Sequence, residues 1–245
     1  MLIALGFLIS LVIGMTGIGG GTITVPVLML FVHLAPDKTV GTALAFAAVV
    51  KLVAAPMFLV RKQVNFRVLG LAIAGGLPGL LVGLYLLHRL VNSNQNSLLT
   101  GLLGILIVGS ALASLKRPGV GAGARDRSHW LPWLMLPIGV ETGFSSAGAG
   151  AIGTVALLKF TLLAPAQVIG TNVMFGLALS LIGGGLQMNA GAYDAGVLTQ
   201  LVIGGVFGAL IGPNVTAWVP AKPLRVGLCL WLASMGSLLC WRAAL

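Results

Sequence analysis

The stretch GMTGIGGGT at residues 14–22 returns as GFSSAGAGA at residues 143–151, an offset of 129 positions. Both stretches interrupt long apolar segments with clustered glycines. Each glycine in a helix interior costs about 0.8–1 kcal/mol relative to alanine. We therefore predict that neither apolar segment is one continuous helix, and that the chain breaks at Gly17–Gly21 and again at Gly148–Gly150.

The same offset of 129 residues aligns the two halves of the chain without a gap. The identical residues at this offset are Gly14 and Gly143, Gly19 and Gly148, Gly21 and Gly150, Phe31 and Phe160, Leu34-Ala35-Pro36 and Leu163-Ala164-Pro165, Gly41-Thr42 and Gly170-Thr171, and Gly75, Gly76, Gly79 and Gly83 with Gly204, Gly205, Gly208 and Gly212. One ungapped register that carries all of these indicates an internal duplication. We divide the chain into a first unit at 1–115, a basic linker at 116–128 and a second unit at 129–245.

The composition places most of this chain in lipid. Hydrophobic residues make up 58% of the 245 positions and charged residues only 7%, with a mean hydropathy of +1.08. Soluble domains carry about 25% charged residues, so too little polar surface remains to cover a globule in water. The apolar runs are about 18 residues or longer and do not alternate, which predicts an all-α polytopic membrane protein.

Each unit is predicted to contain a glycine-broken leading segment, built as two short or re-entrant helices, and then three transmembrane helices. The leading stretches run from Met1 to Gly14 and from Trp130 to Gly143. The long helices are expected at about 39–60, 66–88 and 97–115 in the first unit, and at about 168–188, 196–218 and 224–242 in the second.

The basic residues indicate how the two units lie in the membrane. The net charge is +10, and the basic residues sit at the ends of apolar runs, where they report topology rather than nucleic-acid binding. The turn after the first long helix carries Arg61, Lys62 and Arg67, whereas its counterpart at 189–195 carries no base. Cytoplasmic loops are enriched in Lys and Arg, so we predict an inverted repeat with a cytoplasmic linker. A parallel repeat, with each leading segment as one kinked span, is the alternative.

The glycine breaks are candidate binding sites for an anion. The helices restart near Thr22 and Ala151, and their N-terminal amides carry partial positive charge that suits an anion. Lys51 adds a cation within an apolar helix, where ionisable residues mark function by default. The substrate-binding candidates are Thr16, Gly19, Gly20, Gly21, Thr22, Thr42, Lys51, Ser145, Ser146, Gly148, Gly150, Thr171 and Asn172. Two other interpretations stay open, namely glycines that only permit close packing and a Lys51 that snorkels to the interface.

Glu141 precedes the second break and is the one of the four acidic residues that is expected within the membrane. We predict that Glu141 carries a coupling proton or holds the broken helix, and a structural hydrogen bond to loop amides is the alternative. Gln187 aligns with Phe58 in the register of the duplication and is expected at the membrane interface.

The glycines within 75–83 and 204–212 repeat at a spacing of four residues. Small residues at this spacing line helix contact faces in membranes. We therefore expect the two helices that carry them to pack closely, against each other.

These motifs resemble those of the sulfite exporter TauE/SafE family, also called the toluene sulfonate uptake permease family. The resemblance rests on GMTGIGGGTITVPVL from Gly14, on LAP followed by GT up to Thr42, on the weaker copy GFSSAGAGAIG from Gly143, and on RKQVNFR and GGLPGLLVG within 61–83. It covers essentially the whole chain. The resemblance implies a duplicated transporter of the bacterial inner membrane whose relatives export or import sulfite, thiosulfate and sulfonate-type anions.

We therefore expect a secondary transporter of a small anion, working by alternating access around a site near the midplane. An anion channel and a non-transporting membrane assembly subunit are the alternatives. An enzyme is not expected, because the sequence has no Gly-x-Ser-x-Gly elbow, zinc motif, P-loop or carboxylate pair. No metal, cofactor or nucleic acid is expected; the predicted partners are the substrate and the bilayer, a proton is the candidate coupling ion, and a homodimer is the candidate assembly.

Overall fold

A computed structural model describes residues 1–16, 20–93, 96–115, 128–215 and 221–244, and across these ranges the chain is helical and contains no strand. The ten helices in these ranges are α1 (Leu2–Thr16), α2 (Gly20–Val27), α3 (Pro36–Val60), α4 (Phe66–Asn92), α5 (Asn96–Leu115), α6 (Leu131–Ser145), α7 (Ala151–Phe160), α8 (Pro165–Asn189), α9 (Ala195–Val215) and α10 (Ala221–Ala244). A π-helical turn, Leu28–Val32, extends α2. Most of the predicted linker, 116–127, lies outside the described residues.

The helix bounds repeat with the offset seen in the sequence. Pro36–Val60 recurs as Pro165–Asn189, and Leu2–Thr16 recurs as Leu131–Ser145. Within the described residues, five helices are long and apolar enough to cross a membrane, namely α3, α4, α8, most of α9 and most of α10. The all-helical prediction is confirmed, as is the second glycine break, where residues 146–150 separate α6 from α7. Residues 17–19 of the first break lie outside the described residues.

The central helices α3 and α8 pack against each other in opposite directions. Lys51 of α3 lies beside Gly176 and Ser180 of α8, whereas Ala45, nearer the start of α3, lies beside Gly184, nearer the end of α8. Residue numbers that rise on one helix while they fall on the other define an antiparallel pair. The start of α3 therefore lies beside the end of α8, and the end of α3 lies beside the start of α8.

The two glycine-lined helices do not pack against each other, so that expectation was wrong about the partner. Each one packs instead, in parallel, along the short leading helix of the other unit, α4 on α6 and α9 on α1. A Cβ atom at any of these glycines would collide with a facing carbonyl: Gly75, Gly79 and Gly83 face Pro132, Leu136 and Val140, and Gly204, Gly208 and Gly212 face Ile3, Phe7 and Leu11. Only glycine permits backbones to approach this closely.

The contacts between the units are reciprocal, as they are between two copies related by a two-fold axis. The Asp194 N–H donates to Thr42 Oγ1 at 3.0 Å, and the Asn65 N–H donates to Thr171 Oγ1 at 3.0 Å. Each bond becomes the other when the two units are exchanged. Because α3 and α8 are antiparallel, the equivalent turns lie at opposite ends of the central pair. This supports the predicted inversion, which stays a prediction for the protein in its membrane.

Candidate functional site

The two breaks lie beside the middle of the central helices. A Cβ atom built on Gly20, at the start of α2, would lie 3.0 Å from the Ala47 Cβ of α3. The equivalent contact in the other unit brings Ala149 within 3.6 Å of a Cβ built on Gly176 of α8. Ala47 and Gly176 are both close to the midpoints of 25-residue helices. The duplication thus carries both breaks to the same depth in the molecule.

The breaks also contact each other. Gly21 packs so closely on Ser146 that a Cβ at Gly21 would overlap the carbonyl and hydroxyl oxygens of that serine. The Thr22 hydroxyl donates to the Ala147 carbonyl at 3.4 Å, again from one break to the other. The predicted residues Gly20, Gly21, Thr22 and Ser146 are therefore brought together at one place.

Local hydrogen bonds shape the second break at the end of α6. Ser146 has a φ of 61° and closes the helix by donating its N–H to the Thr142 carbonyl at 2.8 Å. A left-handed residue at this position is a common way to end a helix, although it is usually glycine. The Ser145 hydroxyl donates to the Glu141 carbonyl at 2.9 Å and accepts from the Ala147 N–H at 3.3 Å. Ser145 is thus occupied in holding the turn.

Lys51 is the one cation among the candidate site residues. Its side chain is only 8% exposed, and its ammonium donates to Ser180 Oγ at 3.2 Å. Ser180 is the equivalent of Lys51 in the second unit, so the ammonium lies where the two units meet. A Cβ at Gly176 would collide with the ammonium unless the lysine side chain moved. Lys51 is directed into the protein and does not snorkel.

Asn172 braces the start of α7, immediately after the second break. Its Nδ2 donates to the Gly150 carbonyl and to Thr154 Oγ1, both at 3.0 Å. Thr154 in turn donates to the Gly150 carbonyl at 2.8 Å. Gly148 packs beneath the same turn, against Ile138 and Glu141. Asn172, Gly148 and Gly150 therefore fix the backbone of the second break.

Three buried polar atoms of this region have no hydrogen-bond partner among the described residues: Glu141 Oε1, Ser146 Oγ and Asn172 Oδ1. Glu141 is 8% exposed, and the other two residues are more deeply buried. An unpaired buried polar group costs about 1–3 kcal/mol, and such groups in folded proteins call for an explanation. All three residues lie in the second break, in α6, which leads into it, or in α8, whose Asn172 donates to the Gly150 carbonyl at the break.

Two predicted site residues lie away from the breaks. Thr42 and Thr171 are near the starts of α3 and α8, where their hydroxyls accept the inter-unit bonds from Asp194 and Asn65. Thr42 precedes Lys51 by about 13 Å along the helix axis. Gly19 and the side chain of Thr16 lie outside the described residues.

One polar residue of α8, Ser180, escaped the sequence reasoning, and a second, Gln187, was considered but not included among the site residues. Ser180 could have been found, because it is the register equivalent of Lys51. Gln187 was expected at the membrane interface, yet its side chain is 0% exposed. No signal in one sequence distinguishes a buried glutamine near a helix end from an interfacial one.

Comparison with known proteins gives one family and several relatives. The family model described as Sulfite exporter TauE/SafE matches residues 2–239. Probable membrane transporter protein YjnA of Bacillus subtilis (strain 168) is 25% identical, over 91% of this chain and 92% of its own. YunE and YdhB of the same strain, also named probable membrane transporter proteins, are each 24% identical and cover 91% and 98% of this chain, and 90% and 99% of their own. No solved structure matches the chain.

Proposed function

Since the chain belongs to the sulfite exporter TauE/SafE family and is a multi-pass membrane transporter of the bacterial inner membrane, we propose that it carries a small anion by secondary transport. The proposed substrates are sulfite, thiosulfate or an organosulfonate, the anions associated with the family that its motifs resemble. The proposed site lies between the two breaks, near the middle of α3 and α8.

The observation that carries this proposal is the buried ammonium of Lys51. A charge far from water is expensive unless it is paired, and the ammonium has one neutral partner, Ser180, among the described residues. No ion pair is present within this described part of the chain to neutralise it. An anion beside Lys51 would supply the missing countercharge.

The second break would supply further donors to such an anion. The Ser146 hydroxyl is buried and unpaired, and a hydroxyl can donate to an oxyanion. The N-terminal turn of α7 starts at Ala151, and unsatisfied amides at a helix start favour negative charge. Hydroxyl, amide and ammonium donors suit a sulfur oxyanion better than a neutral solute.

Glu141 and Asn172 suit a different role. Their unpaired atoms, Oε1 and Oδ1, are acceptors, and acceptors repel an anion. Protonation of Glu141 would neutralise its buried carboxylate. A proton carried on Glu141 together with the anion would also offset the charge that the anion moves across the membrane. We assign Glu141 to proton coupling, and Asn172 to holding the second break.

Replacing Lys51 tests this assignment. Lys51→Met keeps most of the length and removes the charge, so we expect uptake of ³⁵S-labelled sulfite or thiosulfate into proteoliposomes to fall by about 10-fold or more, the value of one charged hydrogen bond. The matched control is Lys38→Met, since Lys38 is exposed at the start of α3 and should keep uptake within about twofold. Equal uptake by both folded variants would refute the site.

The same assay separates a transporter from a channel. A transporter saturates with anion concentration and stops when an imposed proton gradient is collapsed. Flux that rises linearly with anion concentration and ignores the gradient would favour the channel.

A further inference from the structure

Gln187 differs from the other described residues with unpaired buried side-chain atoms because two of its atoms, not one, lack a partner. It is 0% exposed, and both amide atoms, Nε2 and Oε1, lack hydrogen bonds to described residues. An amide buried in this way destabilises the conformation that buries it. A polar group that is unfavourable in one conformation is expected to be paired in another, or to be paired by a bound molecule.

Gln187 lies on the stripe of α8 that faces α3. Ser180 and Gly184 belong to the same stripe, against Lys51 and Ala45. Gln187 continues the stripe two turns beyond Ser180, about 10 Å further along the axis. The stripe therefore leads from the ammonium of Lys51 to the end of α8.

The end of α8 is closed by tight contacts. Gln187 Cβ would lie 3.1 Å from a Cβ at Gly41, and that Cβ would also collide with the Ala192 carbonyl. Thr42 and the Asp194 N–H tie the same end together. Separation of α3 from α8 here would uncover Gln187 first, because it lies directly beneath these contacts.

The opposite end of the central pair differs in chemistry. Phe58 is the register equivalent of Gln187 and is half-buried, so the closure near Asn65 and Thr171 has an apolar ring in that place. Both ends have the same inter-unit hydrogen bond, but at this helix position only one end has a side-chain amide, that of Gln187. An amide there has no packing advantage over the ring, which favours a role in recognition.

We propose that the Gln187 amide is a second hydrogen-bonding station for the transported anion, between Lys51 and the end of the molecule where Thr42 meets Asp194. The inference rests on the proposed function, and it names the residue that the anion meets when that end opens. The amide Nε2 donates to an oxyanion oxygen. This hydrogen bond replaces one from water as the anion enters or leaves. Gln187 is thereby a specificity-determining residue that the closed state conceals.

Gln187→Leu separates this role from a structural one. Leucine keeps the bulk and removes the unpaired amide, so we expect the melting temperature in detergent to rise by about 2 °C or more. Uptake of ³⁵S-sulfite or ³⁵S-thiosulfate per folded protein should fall about 10-fold. The control is Phe58→Leu, which should leave uptake within about twofold. A lower melting temperature, or unchanged uptake, for Gln187→Leu would overturn the proposal.

A labelling experiment tests, without any transport measurement, whether position 187 becomes exposed when that end opens. In a background with Cys229 and Cys240 replaced by alanine, Gln187→Cys should react with a membrane-impermeant maleimide from one side of the membrane only. Complete protection from both sides would overturn the proposal, as would equal labelling from both. If the wild type moved neither anion, the proposed function would fail, while labelling and melting temperature would still judge Gln187.

Discussion

At the scale of single residues, the sequence located the charged group but not its partners. Lys51 stands out because a lysine is rare within an apolar helix, and Asn172 stands out because it follows the repeated Gly-Thr pair. Ser180 and Gln187 do not stand out, because short polar residues are ordinary in membrane helices. Their importance comes from burial and from their contacts with α3, which one sequence does not reveal.

The contact between Gly21 and Ser146 makes a sharp prediction at this scale. Gly21→Ala would force its methyl group into the Ser146 carbonyl, so the two breaks must separate, and overpacking of this kind costs about 1–3 kcal/mol. We expect a fall in melting temperature and loss of anion uptake. Gly185→Ala is the matched control, since no atom lies within 4 Å of its added Cβ. Similar melting temperatures for both variants would contradict the contact.

At the scale of helices, lengths were predictable and partners were not. The apolar runs gave α3 and α8 within about three residues at their starts and one at their ends. The glycine stripes correctly indicated close packing, but a stripe of small residues does not say which helix lies against it. The partners are α1 for α9 and α6 for α4. Because α1 and α6 are short, the sequence did not indicate that they pack along these longer helices.

The packing of α4 on α6 can be tested through Gly79. Gly79→Ala would meet the Leu136 carbonyl and the Val140 nitrogen, both of them backbone atoms that cannot rotate away. We expect a lower melting temperature, by roughly 2–4 °C for each kcal/mol lost. Gly70→Ala on the same helix, where no atom lies within 4 Å, should be neutral or slightly stabilising. A stable Gly79→Ala variant would mean that α4 and α6 are further apart.

At the scale of the whole molecule, the duplication was evident from the sequence, whereas the exchange of helices between units was not. An offset of 129 residues says that the units are alike. It does not say that each unit packs its leading helix on the other. That exchange follows from the close packing of α1 on α9 and of α6 on α4.

The inverted orientation is tested by sidedness. Arg61→Cys and Asn189→Cys, each in a background without Cys229 and Cys240, place thiols at exposed equivalent ends of α3 and α8. We expect an impermeant maleimide to label Asn189→Cys in intact cells and Arg61→Cys only in inverted membrane vesicles, because basic turns stay in the cytoplasm. Labelling of both from one side would show that the repeat is parallel.

The exchange of leading helices also sets an order of events on the ribosome. α1 is made well before α9, its packing partner, which starts at Ala195. At about 5–20 residues per second, α1 waits roughly 10–40 s for that partner. α6 needs no such delay, since α4 has already been synthesised when α6 emerges. During biosynthesis α1 is therefore without its packing partner until α9 has been made.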